Sequence, residues 1–265
     1  MRPRTQASLA VTGDDENWVL INASPDLPQQ IRQSKALQPR YGTRGSPIKS
    51  VVLTGAEIDQ VAGLLSLRER EAFTLIATSV SLDTLADNPV FGVLSPQLVV
   101  RKAIAPGEPM ALPGGLQARV FITPGKSPLY LEGDDPETAS ETVANVGVEI
   151  FAGAAHIAYV PGAAAVTAAM MEHLARANVV LFDGTLFHDD EMIRAGAGTK
   201  TGRRMGHMPI EGDKGSLAAL ELIAARRIFV HINNTNPILI DGSPERLHVE
   251  RRGWEIAEDG MEIVV

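Results

Sequence analysis

Short apolar runs, broken by glycine, proline and acidic residues, divide this chain into predicted strands and helices. Near the N-terminus, two alternating runs at residues 8–11 and 18–21 flank an acidic turn and predict a hairpin. Later strands are predicted at residues 51–53, 75–77, 145–151, 156–160, 179–182, 228–232, 254–256 and 261–265, with several short strands between 98 and 122. Helices are predicted at residues 27–34, 61–67, 80–86, 163–177, 189–195, 215–225 and from Ser243 to Gly253.

The order of these elements predicts the fold class. Strands come first in hairpins and later alternate with helices, which is typical of an α/β protein with a mixed sheet and helices outside it. No internal repeat or interdomain linker is visible, so residues 1–265 are predicted to form a single domain.

Composition narrows the classes of protein that remain. The chain has 265 residues, 45% of them apolar, and no cysteine, which excludes disulfides and a cysteine-bound structural zinc. No secretory signal and no membrane span is visible, and the absence of cysteine fits a reducing cytoplasm. The net charge of −8 comes without a basic stripe, so nucleic acid is not an expected partner.

Three predicted strands end in polar residues that could form a site. Asp59 follows the strand at 51–53, Asp183 directly follows the strand at 179–182, and His231 lies in the strand predicted at 228–232. Ligands and metals bind at such strand ends in α/β sheets. Each residue also has a structural interpretation, because Asp59 could cap a helix and the other two could be satisfied core groups.

A second set of candidates lies in the glycine-rich loop at 196–212 and in the polar run after His231. Lys200, Arg203 and Arg204 form a small basic cluster of the kind that binds carboxylates or phosphates. His207 lies between glycines that would let the loop fold over a pocket, and Asn233 is a candidate for cofactor binding. The alternative is a solvated loop.

Several segments together resemble one known family. TQASLAV, WVLINASPDL, LTGAEIDQVAGLLSLRE, LFDGTLFHDDEMI, MGHMP and HINNTNPIL are similar to segments of the coenzyme PQQ synthesis protein B family, within the metallo-β-lactamase superfamily. The resemblance covers nearly the whole chain, and HINNTNPIL together with DDEMI is its most specific part.

This resemblance implies a metallo-β-lactamase-like αβ/βα four-layer sandwich that lacks the family's usual first strand. It also implies a role in the biosynthesis of pyrroloquinoline quinone (PQQ), a tricarboxylate redox cofactor built from a Glu-Tyr peptide. Asp59, Asp183 and His231 match superfamily metal ligands, which implies a non-haem Fe(II) site that hydroxylates the tyrosine ring. The expected ligand is PQQ or a carboxylate-rich precursor, and homodimer formation is left open.

The sequence departs from the family pattern beside Asp59. Gln60 stands where the family usually keeps a histidine, and its neutral amide oxygen is a poor metal ligand. Two functions therefore remain open at this point. The chain is either an iron-dependent hydroxylase of PQQ biosynthesis or a metal-poor carrier that takes PQQ or its precursor toward the periplasm.

Overall fold

The described part of the chain forms two compact units, each with its own apolar core. The computed structural model describes residues 3–40, 44–68, 70–134 and 136–265. The N-terminal unit comprises Thr5–Val120 and Ile150–Ala152. The C-terminal unit comprises Phe121–Glu149 and Gly153–Val265, together with Pro3 and Arg4.

The N-terminal unit is built on a five-stranded sheet in the order β1-β2-β3-β4-β5. The predicted hairpin is confirmed, since β1 and β2 pair antiparallel, and β2 through β5 then pair in parallel. The strands are β1 (Leu9–Thr12), β2 (Trp18–Ile21), β3 (Ile48–Val52), β4 (Phe73–Ala77) and β5 (Val99–Ala103), followed by the antiparallel pair β6 (Met110–Ala111) and β7 (Gln117–Ile122). The helices are α1 (Leu27–Gln33), α2 (Ile58–Val61) and α3 (Ser79–Ala86).

The C-terminal unit carries strands in the order β12-β11-β10-β9-β8, of which β9 to β12 pair in parallel. The strands are β8 (Val146–Ala152), β9 (Ala155–Val160), β10 (Val179–Asp183), β11 (Arg226–Val230) and β12 (Trp254–Ile256). The helices are α4 (Ala168–Leu174), α5 (Glu191–Arg194), α6 (Ser216–Ala219) and α7 (Pro244–Arg251).

Buried aromatic side chains pack the parallel strands of the C-terminal unit against its core. Phe182 of β10 and Phe229 of β11 are fully buried, and Phe229 stacks on Trp254 of β12 with ring centroids 4.0 Å apart. Stacked aromatic side chains bury large apolar areas, so this part of the sheet gives a rigid base for the residues at its strand ends.

Some predicted elements are wrong in type or length. Residues 261–265 form no strand, and Val264 is 96% exposed. The helix predicted at 163–177 begins only at Ala168, because the Thr167 side chain caps it by accepting from the backbone N–H of Met170. The strand predicted at 228–232 ends at Val230, because His231 adopts a left-handed φ of 52°.

No helix of the described residues has the length and apolar character needed to cross a membrane.

Candidate metal centre

Three neighbouring parallel strands of the C-terminal unit end at the same edge of the sheet. Phe182 of β10 pairs with Val160 of β9, and Asp183 pairs with Val230 of β11. The residues just beyond these pairs therefore meet, as expected for the carboxyl ends of parallel strands. This register makes the strand ends bearing Asp183 and His231 adjacent.

The glycine-rich loop brings a second histidine to this edge. Gly206 takes a left-handed φ of 85°, and the next two residues turn back toward β9. The backbone N–H of Met208 donates to the carbonyl of Ala163 at 2.7 Å, which fastens the loop to the segment after β9. His207 consequently lies against Gly162, where an added Cβ would come within 3.3 Å of the imidazole Cε1.

Asp183, His207 and His231 form one cluster, called here the Asp-His-His cluster. One potential ligand atom from each residue lies within 4.8 Å of those from the other two. The two imidazole rings stack with centroids 5.2 Å apart and an interplanar angle of 19°. Asp183 is fully buried, whereas the His207 and His231 side chains keep 19% and 25% of their surface exposed, so small ligands can approach from the histidine side.

The carboxylate of Asp183 is held by four hydrogen bonds. Oδ1 accepts the backbone N–H and the hydroxyl of Thr185 at 3.0 and 2.6 Å. Oδ2 accepts the backbone N–H of Ala163 at 3.1 Å and lies 2.7 Å from Nδ1 of His207. Burial by itself would raise the pKa of Asp183, but His207 and His231 outweigh it and hold that pKa well below its usual range. Asp183 is therefore an anion at neutral pH.

The hydroxyl of Thr185 lies at the centre of the cluster. Its Oγ1 is 2.6 Å from Asp183 Oδ1, 2.8 Å from His231 Nδ1 and 3.1 Å from His207 Nδ1. Thr185 is only 7% exposed, so these contacts replace hydration of the hydroxyl. Nothing in the local sequence marks this position as part of a site, because threonine is an ordinary residue two places after a strand-end aspartate.

His231 reaches the cluster through an uncommon backbone conformation. Its φ of 52° ends β11 and redirects the chain. Few residues other than glycine adopt this conformation, and those that do are often found at functional sites. The ends of β10 and β11 also pack closely, which brings His231 near Asp183. A Cβ added at Gly184 would lie only 2.9 Å from Cβ of Phe229.

The third predicted ligand, Asp59, belongs to the N-terminal unit. It lies half-buried in the first turn of α2, and the residue that caps this helix is Glu57. The Gln60 side chain accepts the backbone N–H of Glu57 at 3.3 Å as part of a capping box. Gln60 thus has a local structural role, and Asp59 stays a predicted ligand.

The polar run after His231 mainly builds the loop beside the site. The Asn233 amide donates to Thr235 Oγ1 at 3.0 Å, and the Thr235 hydroxyl donates to Glu191 at 2.6 Å. The buried Asn236 amide donates to the carbonyl of Gly184 at 2.8 Å. These bonds hold the segment that follows β10, while cofactor binding by Asn233 stays a prediction.

Two of the three predicted basic residues gather around a carboxylate. Lys200 Nζ and Arg204 Nη1 lie 3.5 and 3.3 Å from Glu132 Oε2, and Lys126 Nζ lies 2.5 Å from Oε1. Burial alone would raise the pKa of Glu132, but these cations lower it. We call these four residues the Glu132 cluster, and its formal charge is +2, from three cations and one anion. The third predicted basic residue, Arg203, instead donates a hydrogen bond from its guanidinium to the carbonyl of Lys214 at 3.4 Å.

The Glu132 cluster adjoins the Asp-His-His cluster through the glycine-rich loop. A Cβ added at Gly206, the residue before His207, would come within 3.2 Å of Lys126 Cγ. Lys126 and Glu132 also line a cavity of about 300 Å³. Sequence reasoning missed Lys126 and Glu132, since both lie in a loop far from the basic run and nothing local marks them.

Comparison with known proteins identifies the fold. The model of the "Beta-lactamase superfamily domain" family matches residues 17–232. Two solved structures under 25% identity share the fold. A diphosphatase from the PhnP family is 18% identical with a TM-score of 0.63, covering 99% of this chain and 85% of that one. The metallo-beta-lactamase fold protein YhfI from Bacillus subtilis is 11% identical with a TM-score of 0.67, covering 97% of this chain and 90% of that one. The chain thus has the metallo-β-lactamase fold, as predicted.

More similar relatives define the family within that class. Coenzyme PQQ synthesis protein B of Rhizobium meliloti is 54% identical, covering 99% of this chain and 86% of the relative. The crystal structure of Zn²⁺-bound PqqB from Methylobacterium extorquens is 50% identical with a TM-score of 0.98, covering 100% of this chain and 89% of that one. The chain therefore belongs to the coenzyme PQQ synthesis protein B family, a family of PQQ biosynthesis proteins, as its sequence resemblance indicated.

Proposed function

We propose that this chain is an iron-dependent hydroxylase of PQQ biosynthesis that acts on the tyrosine ring of the Glu-Tyr-derived precursor. The Asp-His-His cluster is the observation that carries this proposal. It joins two of the sequence-predicted ligands, Asp183 and His231, to His207 of the glycine-rich loop. The three side chains meet at the edge of the sheet where α/β proteins bind ligands.

The donor set fits a non-haem iron. One carboxylate and two imidazoles with open positions are typical of Fe(II) oxygenases. The zinc-bound relative supports metal binding by this family, although its metal differs from the one proposed here. When bound, Fe(II) would supply the one-electron chemistry that dioxygen needs to react with an aromatic ring. Hydroxylation would place one oxygen atom on the ring and release the other as water, with two electrons from an external reductant.

The chain's own residues would hold and orient the reacting partners. The buried Asp183 anion attracts a cation, and the partly exposed histidines offer the open side of the cluster. The Glu132 cluster, with its excess of positive charge, would bind carboxylates of the substrate beside this centre.

Elemental analysis after anaerobic Fe(II) reconstitution tests the proposal. We expect close to one iron per chain, and hydroxylation of a Glu-Tyr peptide when dioxygen and a two-electron reductant are added. Protein that retains no iron, or that holds iron and leaves the peptide unchanged, would contradict it. The same measurement on Asp59→Ala decides whether the predicted ligand of the N-terminal unit is needed.

Removing positive charge from the Glu132 cluster is expected to weaken binding of a tricarboxylate. Lys200→Gln and Arg204→Gln should each raise the dissociation constant of PQQ about fivefold, because a partly exposed ion pair contributes on the order of 1 kcal/mol. Isothermal titration calorimetry at low and high salt measures this effect, and salt should reduce the difference between the variants and the unmodified protein.

Arg194→Gln is the matched control for this experiment. It removes the same charge from the same unit, but Arg194 is 62% exposed and pairs with Asp190. Equal losses of affinity in Arg194→Gln and Lys200→Gln would show that net charge, rather than the Glu132 cluster, governs binding.

A carrier function is the second candidate, and one observation favours it. Gln60 stands where the family resemblance predicts a histidine beside Asp59, and its amide is engaged in capping α2. A carrier would bind PQQ tightly with or without metal. PQQ affinity that is unchanged by Fe(II), in protein that hydroxylates nothing, would favour the carrier, whereas absence of PQQ affinity would exclude it.

A further inference from the structure

The hydroxyl of Thr185 has more neighbours than it has hydrogens. It can donate one hydrogen bond, and four groups lie within reach: Asp183 Oδ1 at 2.6 Å, His231 Nδ1 at 2.8 Å, and both His207 Nδ1 and the His231 carbonyl at 3.1 Å. The donor and acceptor roles in this group are therefore fixed by counting hydrogens.

The single hydrogen of this hydroxyl goes to Asp183. The 2.6 Å separation from Oδ1 lies in the range of charge-assisted O–H···O⁻ bonds. Asp183 is ionised and can only accept. Thr185 also donates its backbone N–H to Oδ1 at 3.0 Å, and His231 Nδ1 lies 3.8 Å from this oxygen. Oδ2 is the oxygen that faces His207.

The nitrogen of His231 must then donate to Thr185. Once the hydroxyl hydrogen points at Asp183, Oγ1 has only lone pairs to offer His231 Nδ1, which lies 2.8 Å away. If Nδ1 carried no hydrogen, its own lone pair would face a lone pair of Oγ1, and the two atoms would repel each other. Nδ1 of His231 therefore carries a hydrogen. In the neutral ring the lone pair that can bind a metal is consequently on Nε2.

We infer that Thr185 is a positioning residue that selects the tautomer of His231. A chain Asp183···H–O Thr185···H–N His231 would leave Nε2 of the imidazole free to bind a metal. Metal-binding histidines commonly donate their second ring nitrogen to an oxygen in this way, and loss of such a partner lowers metal affinity roughly 10- to 100-fold. Here a threonine hydroxyl links the carboxylate to the ring. The inference rests on the metal site proposed above.

Two variants separate the hydroxyl from the bulk of the side chain. Thr185→Val keeps the shape and removes the hydroxyl, whereas Thr185→Ser keeps the hydroxyl and removes the methyl group. Long-range ¹H–¹⁵N spectra of ¹⁵N-histidine-labelled, metal-free protein report the tautomer, with His231→Gln used to assign the signals. Calorimetry with Zn²⁺ alone, which has no redox chemistry, reports the affinity. Urea unfolding shows whether each variant is folded.

We expect the neutral His231 ring of the unmodified protein and of Thr185→Ser to carry its hydrogen on Nδ1. Thr185→Val should lose this preference and bind Zn²⁺ at least about 10-fold more weakly, with Thr185→Ser close to the unmodified protein. A hydrogen on Nε2 in the unmodified protein would overturn the inference, and that result needs no variant. Equal loss of affinity in both variants, or no loss in Thr185→Val, would overturn it too.

Failure of this inference and failure of the proposed function give different results. The tautomer is measured without metal, so an Nδ1–H ring that depends on the Thr185 hydroxyl supports the inference even if Fe(II) reconstitution yields no active hydroxylase. If the iron-loaded protein is active but the His231 tautomer does not depend on the Thr185 hydroxyl, the inference is overturned and the proposed function is still supported.

Discussion

His231→Ala is expected to abolish stoichiometric iron binding, with Fe(II) affinity at least about 100-fold lower than in the unmodified protein. Loss of an outer partner of a ligand already costs roughly 10- to 100-fold, and loss of the ligand itself should cost more. The variant removes the imidazole that follows β11 and leaves the Asp183 anion with His207 as its remaining histidine neighbour. Iron content after anaerobic reconstitution and hydroxylation of the Glu-Tyr peptide should fall together.

His248→Ala is the matched control for this variant. His248 lies in α7 of the same unit, 3.0 Å from Glu211 and outside the Asp-His-His cluster. It should retain iron and activity. Full iron content in His231→Ala would remove His231 from the ligand set, and equal loss in both variants would point to damage to the fold. Thermal unfolding of the metal-free proteins distinguishes these cases.

Phe229→Ala is expected to lower the free energy of unfolding by about 3–5 kcal/mol, the range for removing a buried aromatic side chain. Phe229 is fully buried, stacks on Trp254 at 4.0 Å and lies two residues before His231. Its Cβ also packs against the backbone of Gly184. The cavity should loosen the ends of β10 and β11 and weaken metal binding as a second effect. Urea unfolding measures the stability and calorimetry measures the affinity.

Two control variants show whether the loss of stability comes from removing the buried aromatic side chain. Phe229→Leu keeps most of the volume and should cost about 1.5 kcal/mol or less. Leu222→Ala removes an apolar side chain that is 91% exposed in the same unit, and its effect should stay within about 0.5 kcal/mol. A loss of less than about 1 kcal/mol in Phe229→Ala would show that the stack contributes little to stability.

The sequence determined the elements with strong local signals. The hairpin of β1 and β2 follows from alternating apolar residues around an acidic turn, and the strands before Asp183 and His231 follow from short β-branched and aromatic runs. Such patterns act within a few residues, so they can be recognised without the rest of the chain. The family segments added the metallo-β-lactamase fold, which the comparisons confirmed.

Element ends were less predictable, because they depend on single caps and backbone conformations. The helix of residues 168–174 starts five residues later than its apolar pattern suggested, where Thr167 caps it. Residues 261–265 have the composition of a strand but form none. A strand requires a paired partner, and the sequence of the strand alone does not specify one.

The tertiary structure alone decided which side chains share the site. Sequence reasoning placed Asp183 and His231 at strand ends, and parallel pairing of β10 with β11 made them neighbours. It predicted His207 as a cofactor-binding residue, which stays a prediction. It assigned Thr185 no hydrogen-bonding role and did not single out Lys126 or Glu132. Hydrogen bonds and ion pairs form between residues distant along the chain, and no local pattern encodes those distances. The sequence thus determined which strands and loops could carry chemistry, while the fold decided which of their atoms meet.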